Sequence, residues 1–130
     1  MVLSYPPSLV KKIYPSLTWK VKTQKKELFL TFDDGPTPNV TTKVLQLLDI
    51  YNAKASFFCL GNNIDKHPEL FRQLVAAGHS IGNHTYNHKN GWKHTTSDFL
   101  HDVSTFEEVY TSKLFRPPYG RMKSSQIKII

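Results

Sequence analysis

The chain has 130 residues, 39% of them apolar and 21% charged, with 17 basic side chains against 10 acidic and a formal net charge of +7. That length supports one domain with its own core, burying roughly two thirds of its unfolded surface, and no apolar run is long enough to cross a bilayer. The single cysteine, Cys59, excludes an internal disulfide and a cysteine-based metal site.

Residues 1–25 read as an N-terminal arm. Pro6, Pro7 and Pro15 argue against a long regular element, and Leu9, Ile13, Leu17 and Trp19 are expected to pack the arm onto the body. Met1 to Pro7 lacks the apolar stretch and small-residue cleavage site of a secretory signal. No export label is seen, and cytoplasmic residence is the default expectation. Lys20, Lys22, Lys25 and Lys26 form the densest basic group, with no interleaved aromatic beyond Trp19. Single-strand binders combine a basic groove with stacking aromatics, so nucleic acid is not an expected partner. Attraction to an acidic polymer, or plain solubility, accounts for the charge.

The remainder, residues 26–130, alternates strand and helix patterns. A strand is expected over Glu27–Phe32, stopped by Asp33-Asp34-Gly35-Pro36. Thr37-Pro38 reads as a helix start, and Val40, Val44, Leu47, Leu48 and Tyr51 recur at helical spacing as one buried face, with Asn52 at the end. Ala53–Leu60 is a nearly continuous apolar run, as in a parallel strand covered on both faces, with Cys59 as a small buried filler and Gly61 closing it. Pro68 opens a helix with Leu70, Phe71, Leu74 and Val75 on one side and Gly78 as its stop. His79-Ser80-Ile81-Gly82 reads as a third strand and Asn83 to Lys93 as a polar loop. Thr95, Thr96 and Ser97 are candidate caps for a helix carrying Phe99, Val103, Phe106 and Tyr110. Leu114-Phe115-Arg116 is the fourth expected strand, and a last helix could begin within Met122–Ile130.

This rhythm predicts an α/β fold of parallel βαβ units. In such folds polar groups gather where strands end. Asp33 and Asp34 end the first strand, His84 and His88 follow the third, and Arg116 to Tyr119 follow the fourth. An adjacent acid pair alone also fits a solvated turn or a helix cap. His84 and His88 are four apart, so on a helical turn both imidazoles could grip one ion; a hydrogen-bonded polar loop is the alternative. With one carboxylate they make a three-ligand set that leaves positions open, as in a catalytic zinc site. A non-haem iron centre shares the same set. The second aspartate is then available as a general base, and Arg116 suits a carboxylate-orienting role or, alternatively, a surface ion pair.

Three segments carry a resemblance. Thr31-Phe32-Asp33-Asp34-Gly35-Pro36, His84-Thr85-Tyr86-Asn87-His88 and Arg116-Pro117-Pro118-Tyr119 resemble, in order, the first three motifs of the polysaccharide deacetylases, the NodB-homology enzymes of carbohydrate esterase family four. The likeness extends through Phe57-Phe58 and Gly78 to Asn83, and so covers about Glu27 to Gly120. It implies a partial (β/α) barrel of the distorted seven-stranded type, with about four βα units present in residues 26–130. It also implies that Asp34, His84 and His88 hold a divalent metal, most simply zinc. Asp33 would be the catalytic base, Arg116 would orient it, and the backbone N–H of Tyr119 would help bind the oxyanion. The implied reaction is hydrolysis of N-acetyl or O-acetyl groups on a carbohydrate polymer such as peptidoglycan or chitooligosaccharide. The family's later acidic, tryptophan-bearing motif and general-acid histidine have no match in the ten residues after Gly120. The alternative is therefore a catalytically impaired metal- and glycan-binding fragment, with an open barrel edge that favours self-association. None of His67, His79, His94 and His101 matches the missing acid, and His79 and His101 are expected to be structural or solvated.

Overall fold

The computed structural model describes residues 8–130. In chain order these form α1 (Ser8–Ile13), β1 (Leu30–Gly35), α2 (Val40–Ile50), β2 (Ala55–Cys59), α3 (Gly61–Lys66), α4 (Pro68–Ala76), β3 (Ser80–Asn83), α5 (Thr96–Val109), a 3-10 turn at Pro118–Gly120 and α6 (Ser124–Ile127). The strands make one parallel sheet in the order β1-β2-β3, the wall of a partial β/α barrel. No helix among the described residues is long and apolar enough to cross a membrane.

Side-chain alternation divides the sheet into two working faces. On one, Phe32, Phe57 and Ile81 stand in register across the three strands, and Phe32 stacks on Phe57 at 5.1 Å between ring centroids. Ala55, Phe57 and Cys59 share a core there with Leu48 of α2, Ile64 of α3, Phe71 and Leu74 of α4, and Phe106 of α5. Burial pushes the Cys59 thiol up to about 12, which leaves it an inert filler at neutral pH. The other face carries Thr31, Asp33, Phe58 and Gly82, and over it lies the side chain of Arg116. Gly82 is required at its position by close approach: a Cβ there would stand 2.4 Å from the Phe58 ring.

Several expected boundaries move. β1 begins three residues later than the Glu27–Phe32 strand, because its register sets Phe32 against Phe57. Leu28 and Phe29 are left outside it, 91% and 59% exposed. Gly61 starts α3 instead of merely closing β2; the amides of Gly61 and Asn62 donate to the carbonyls of Thr85 and Tyr86, which satisfies the first turn of a short helix. The fourth strand is reduced to a single parallel bridge between Asn83 and Phe115, since Pro117 and Pro118 follow at once and offer no N–H to extend a ladder. α2 starts after Asn39, and the Thr37 N–H donates to Thr41 Oγ1, the reverse of a Thr37 cap. Of its expected buried face Leu48 is buried, whereas Val40, Leu47 and Tyr51 are exposed, with nothing among the described residues packed over that side.

In the arm, Met1 to Pro7 lie outside the described residues. Pro15 follows a helix of six residues, none of them buried. Leu9 and Ile13 are exposed and only Leu17 and Trp19 are half-buried, so the expected packing is partial. A polar contact ties the arm to the body instead, the Tyr14 hydroxyl meeting Ser124 Oγ of α6 at 2.9 Å, while within the arm Trp19 Nε1 donates to the Tyr14 carbonyl at 2.8 Å.

Candidate active site

Two adjacent carboxylates reach one rim because β1 is bulged. Asp33 pairs with Phe58 and Gly35 with Cys59, so Asp34 is the extra residue. Its φ of 67° is in the left-handed region, uncommon outside glycine. In a regular strand neighbouring side chains would stand on opposite faces. Asn63 of α3 braces the bulge, its Nδ2 donating to the Asp34 carbonyl at 2.8 Å.

His84 follows β3 and is almost wholly buried. Its Nδ1 is 2.6 Å from the carbonyl oxygen of Arg116. A carbonyl only accepts, so Nδ1 carries the proton and Nε2 keeps its lone pair. That Nε2 lies 3.5 Å from Asp34 Oδ1, and His88 Nε2 lies 3.1 Å from the same oxygen. One donor atom from each of Asp34, His84 and His88 falls within 4.8 Å of the others, a group able to hold a metal ion. Burial lowers the His84 pKa, outweighing the opposite pull of the Arg116 carbonyl, Asp33 and Asp34. The imidazole is thereby held neutral, the form a metal requires. The histidines do not share a helical turn: residues 84–88 form a loop, with Thr85 and His88 at φ 66° and 60°.

That loop is fixed by residues the motifs did not single out. Asp102 of α5, 3% exposed, accepts from the Asn87 backbone N–H at 2.9 Å and from Asn87 Nδ2 at 2.7 Å. Asn83 Oδ1 accepts from the Thr85 N–H at 2.8 Å, while its Nδ2 donates to Glu107 and to the Val103 carbonyl. The Tyr86 ring lies over Gly61, where a Cβ would meet it at 2.4 Å. A usable signal existed for Asp102: it interrupts the apolar face that runs through Phe99, Val103 and Phe106, and a carboxylate on a core-facing stripe needs a polar partner.

Arg116 reaches Asp33. Its Nη1 donates to Asp33 Oδ1 at 2.7 Å and to Thr31 Oγ1 at 3.0 Å, with the guanidinium carbon 4.0 Å above the Phe58 ring centroid. Both side chains are partly exposed. Tyr119, also at a left-handed φ of 60°, sets its ring 4.6 Å from that of His88. All six residues expected at the site thus gather on one rim. None of the other four histidines joins the triad: His79 is buried with Nδ1 accepting from Ala55 N–H, His67 is half-buried, His101 is exposed, and His94 pairs with Asp98.

Such a site, with two imidazoles and a carboxylate able to share an ion and a second carboxylate held by arginine, suits hydrolysis of a polarised acyl bond. Comparison with known proteins agrees. The family model described as polysaccharide deacetylase matches residues 20–130. A Bacillus cereus peptidoglycan-N-acetylglucosamine deacetylase is 41% identical over 110 residues, which are 80% of this chain and 40% of the relative. A chitooligosaccharide deacetylase of Azorhizobium caulinodans is 29% identical over 85% of the chain and 56% of its own length. Among solved structures, the Bc1960 peptidoglycan N-acetylglucosamine deacetylase superposes with a TM-score of 0.79 at 39% identity, covering 82% of this chain and 52% of that one. The chain therefore spans about half the length of the relatives it matches. With its motifs, sheet and rim all in agreement with that match, the chain belongs to the polysaccharide deacetylase family.

Proposed function

We propose that the protein is a metal-dependent hydrolase that removes acetyl groups from N-acetylated, or O-acetylated, carbohydrate polymers such as peptidoglycan or chitooligosaccharide. The observation that carries this is the convergence of Asp34, His84 and His88 beside the Asp33–Arg116 pair. Residues 26–130 would be the deacetylase domain, preceded by the arm of residues 1–25.

The donor set fits a divalent cation: two imidazole nitrogens and one carboxylate oxygen, with the His84 tautomer fixed by a backbone carbonyl. Zinc suits this nitrogen-rich set best. An ion held there by Asp34, His84 and His88 would supply Lewis acidity to polarise the acetyl carbonyl and acidify water.

The chain's own groups divide the remaining work. Asp33 takes a proton from the attacking water as the oxygen adds to the acetyl carbon. Arg116 is a positioning residue that keeps the Asp33 carboxylate aimed, through a guanidinium already stacked on Phe58. The N–H of Tyr119 donates to the oxygen that becomes negative, a contribution of about 3 to 4 kcal/mol where such donors have been removed. The bond from the acetyl carbon to the sugar nitrogen or oxygen then breaks, acetate leaves, and the departing nitrogen or oxygen takes back the proton that Asp33 accepted from water.

A second reading is a metal- and glycan-binding module without turnover. It is favoured by the absence, among the described residues, of a further imidazole in the cluster. Protonation of the leaving group contributes typically 10²–10⁴-fold, which its loss would remove.

Acetate release from acetylated glucosamine oligomers separates the two. The deacetylase gives metal-dependent acetate that a chelator abolishes. Glycan binding with no acetate from folded, metal-loaded protein selects the module.

The edge of β1 also supports self-association. Among the described residues no strand pairs with its outer side, and Leu28, Phe29 and Leu30 are exposed there. Sedimentation is expected to show dimers or larger species that Phe29→Lys disperses. A wild-type monomer at tens of micromolar, on the order of ordinary laboratory concentrations for such edge association, would contradict this.

A further inference from the structure

Beside the triad lies an open pocket of about 490 Å³ whose walls include His88, Tyr119, Lys89, Lys93, His94 and Arg121. His88 and Tyr119 belong to the site already described, so the pocket begins where the acetyl group would be held. Its far wall is cationic. Asp98 is the carboxylate bonded within this wall, and it is engaged by both Lys89 and His94. Among the described residues neither Lys93 nor Arg121 has a carboxylate partner. Two positive charges therefore face the cavity without a counter-ion, in a concave setting that strengthens their field.

The wall is built to hold that charge in place. The guanidinium of Arg121 stands 4.9 Å over the Trp92 ring, and Trp92 Nε1 is itself fixed to the Met122 carbonyl at 3.0 Å. The Arg121 backbone presses on Gly91, where a Cβ would meet its carbonyl oxygen at 2.5 Å. Gln126, fully buried, clamps the two segments by donating to the Gly91 carbonyl and accepting from the Lys123 N–H. Lys123 in turn donates to the His94 carbonyl at 2.6 Å. An arginine stacked on an indole and anchored at its backbone is preorganised for an oxyanion.

We propose that this pocket is a subsite for an anionic substituent, a carboxylate or a phosphate, on the sugar next to the one that loses its acetyl group, so that the protein selects an acidic glycan over a neutral one. This rests on the deacetylase function proposed above for the adjoining triad, but its recognition step is separable from turnover. The sugar carrying the charge lies across Tyr119 towards Arg121 and Lys93, while the acetyl group faces Asp34, His84 and His88.

The test is calorimetric binding of three tetramers of N-acetylglucosamine to the metal-loaded protein at low salt: unmodified, bearing lactyl ether carboxylates, and bearing 6-phosphates. At least one acidic tetramer is expected to bind about tenfold more tightly than the neutral one, and which of them does so identifies the substituent. Arg121→Gln and Lys93→Gln should each reduce that preference roughly three- to tenfold, without altering affinity for the neutral tetramer. Where acetate is released, KM for the acidic tetramer should rise in these variants while kcat stays constant. Equal affinities for all three tetramers, or losses of the same size on neutral and acidic ones, would overturn the proposal. Failure of every tetramer to release acetate counts against the deacetylase function alone, because the binding comparison still decides the subsite.

Discussion

Arg116 holds His84 with its backbone and Asp33 with its side chain: the carbonyl accepts from His84 Nδ1 at 2.6 Å, and the guanidinium donates to Asp33 at 2.7 Å. The triad and the second carboxylate are thus set by one residue, whose own N–H is tied to the Asn83 carbonyl at 3.0 Å.

Arg116→Lys separates those two duties, because the carbonyl survives the substitution. A lysine cannot reproduce the contacts to Asp33 and Thr31 while stacking on Phe58. We expect kcat/KM to fall about 100-fold, within the range for losing an effective general base, with divalent-metal affinity little changed by competition with a chromogenic chelator. A matching loss of metal affinity would show that the side chain also sets the ligands.

Asp102→Ala leaves the Asn87 amide and side chain without their acceptor. Unfolding in urea should report a loss of about 1–3 kcal/mol, the cost of stranding buried donors, together with weaker metal binding as His88 loses its anchored neighbour. Asp102→Asn keeps one acceptor oxygen and should fall between wild type and alanine in both measurements.

Gly82→Ala inserts a methyl group 2.4 Å from Phe58 Cδ1. The ring must move, and the guanidinium stacked on it moves too. Stability is expected to drop by about 1–3 kcal/mol, as for overpacked cores, and acetate release to fall well below what that loss explains at temperatures where the variant is fully folded.

His79 makes acidification destabilising. Burial, then the charge of Lys54, lowers its pKa from 6.5 in the folded state, and its Nδ1 accepts from the Ala55 N–H only while unprotonated. The unfolded chain therefore binds the proton first. The stabilising contribution is complete above about pH 6.5 and is lost as pH falls through the folded value. Urea midpoints should decline between pH 7.5 and 5.5, and His79→Gln should flatten that decline without abolishing it, since burial lowers the His84 pKa as well.

Much of this was legible in the sequence because it depends on local pattern. The apolar run around Phe57, the Pro68 start and Gly78 stop of α4, and the Thr95 cap of α5, which accepts from the Asp98 N–H, all lie where residue chemistry places them. Three polar clusters could be placed because each follows the end of a strand, whereas Tyr119 and the division of roles between Asp33 and Asp34 came only from the resemblance to the family's motifs. What could not be read was set by pairing across the chain. The start of β1 depends on which residue meets Phe57, the bulge at Asp34 exists only against Cys59, and α3 draws its first hydrogen bonds from Thr85 and Tyr86. The exposed side of α2 was misjudged for a similar reason: periodicity marks an apolar face but not whether a neighbour covers it.

Asp34, Thr85, His88 and Tyr119 all adopt positive φ. For residues with a Cβ this conformation is held against a local preference by the surrounding fold, at about 1–3 kcal/mol apiece. Glycine at these four places would relax the main chain and favour folding, yet it would delete two of the three side chains proposed to hold the ion, Asp34 and His88, and the Tyr119 ring beside them. Under the function proposed above, selection for the site and selection for a robust fold pull in opposite directions at the same few codons, and thermal hardening of this protein has to be sought elsewhere in the chain.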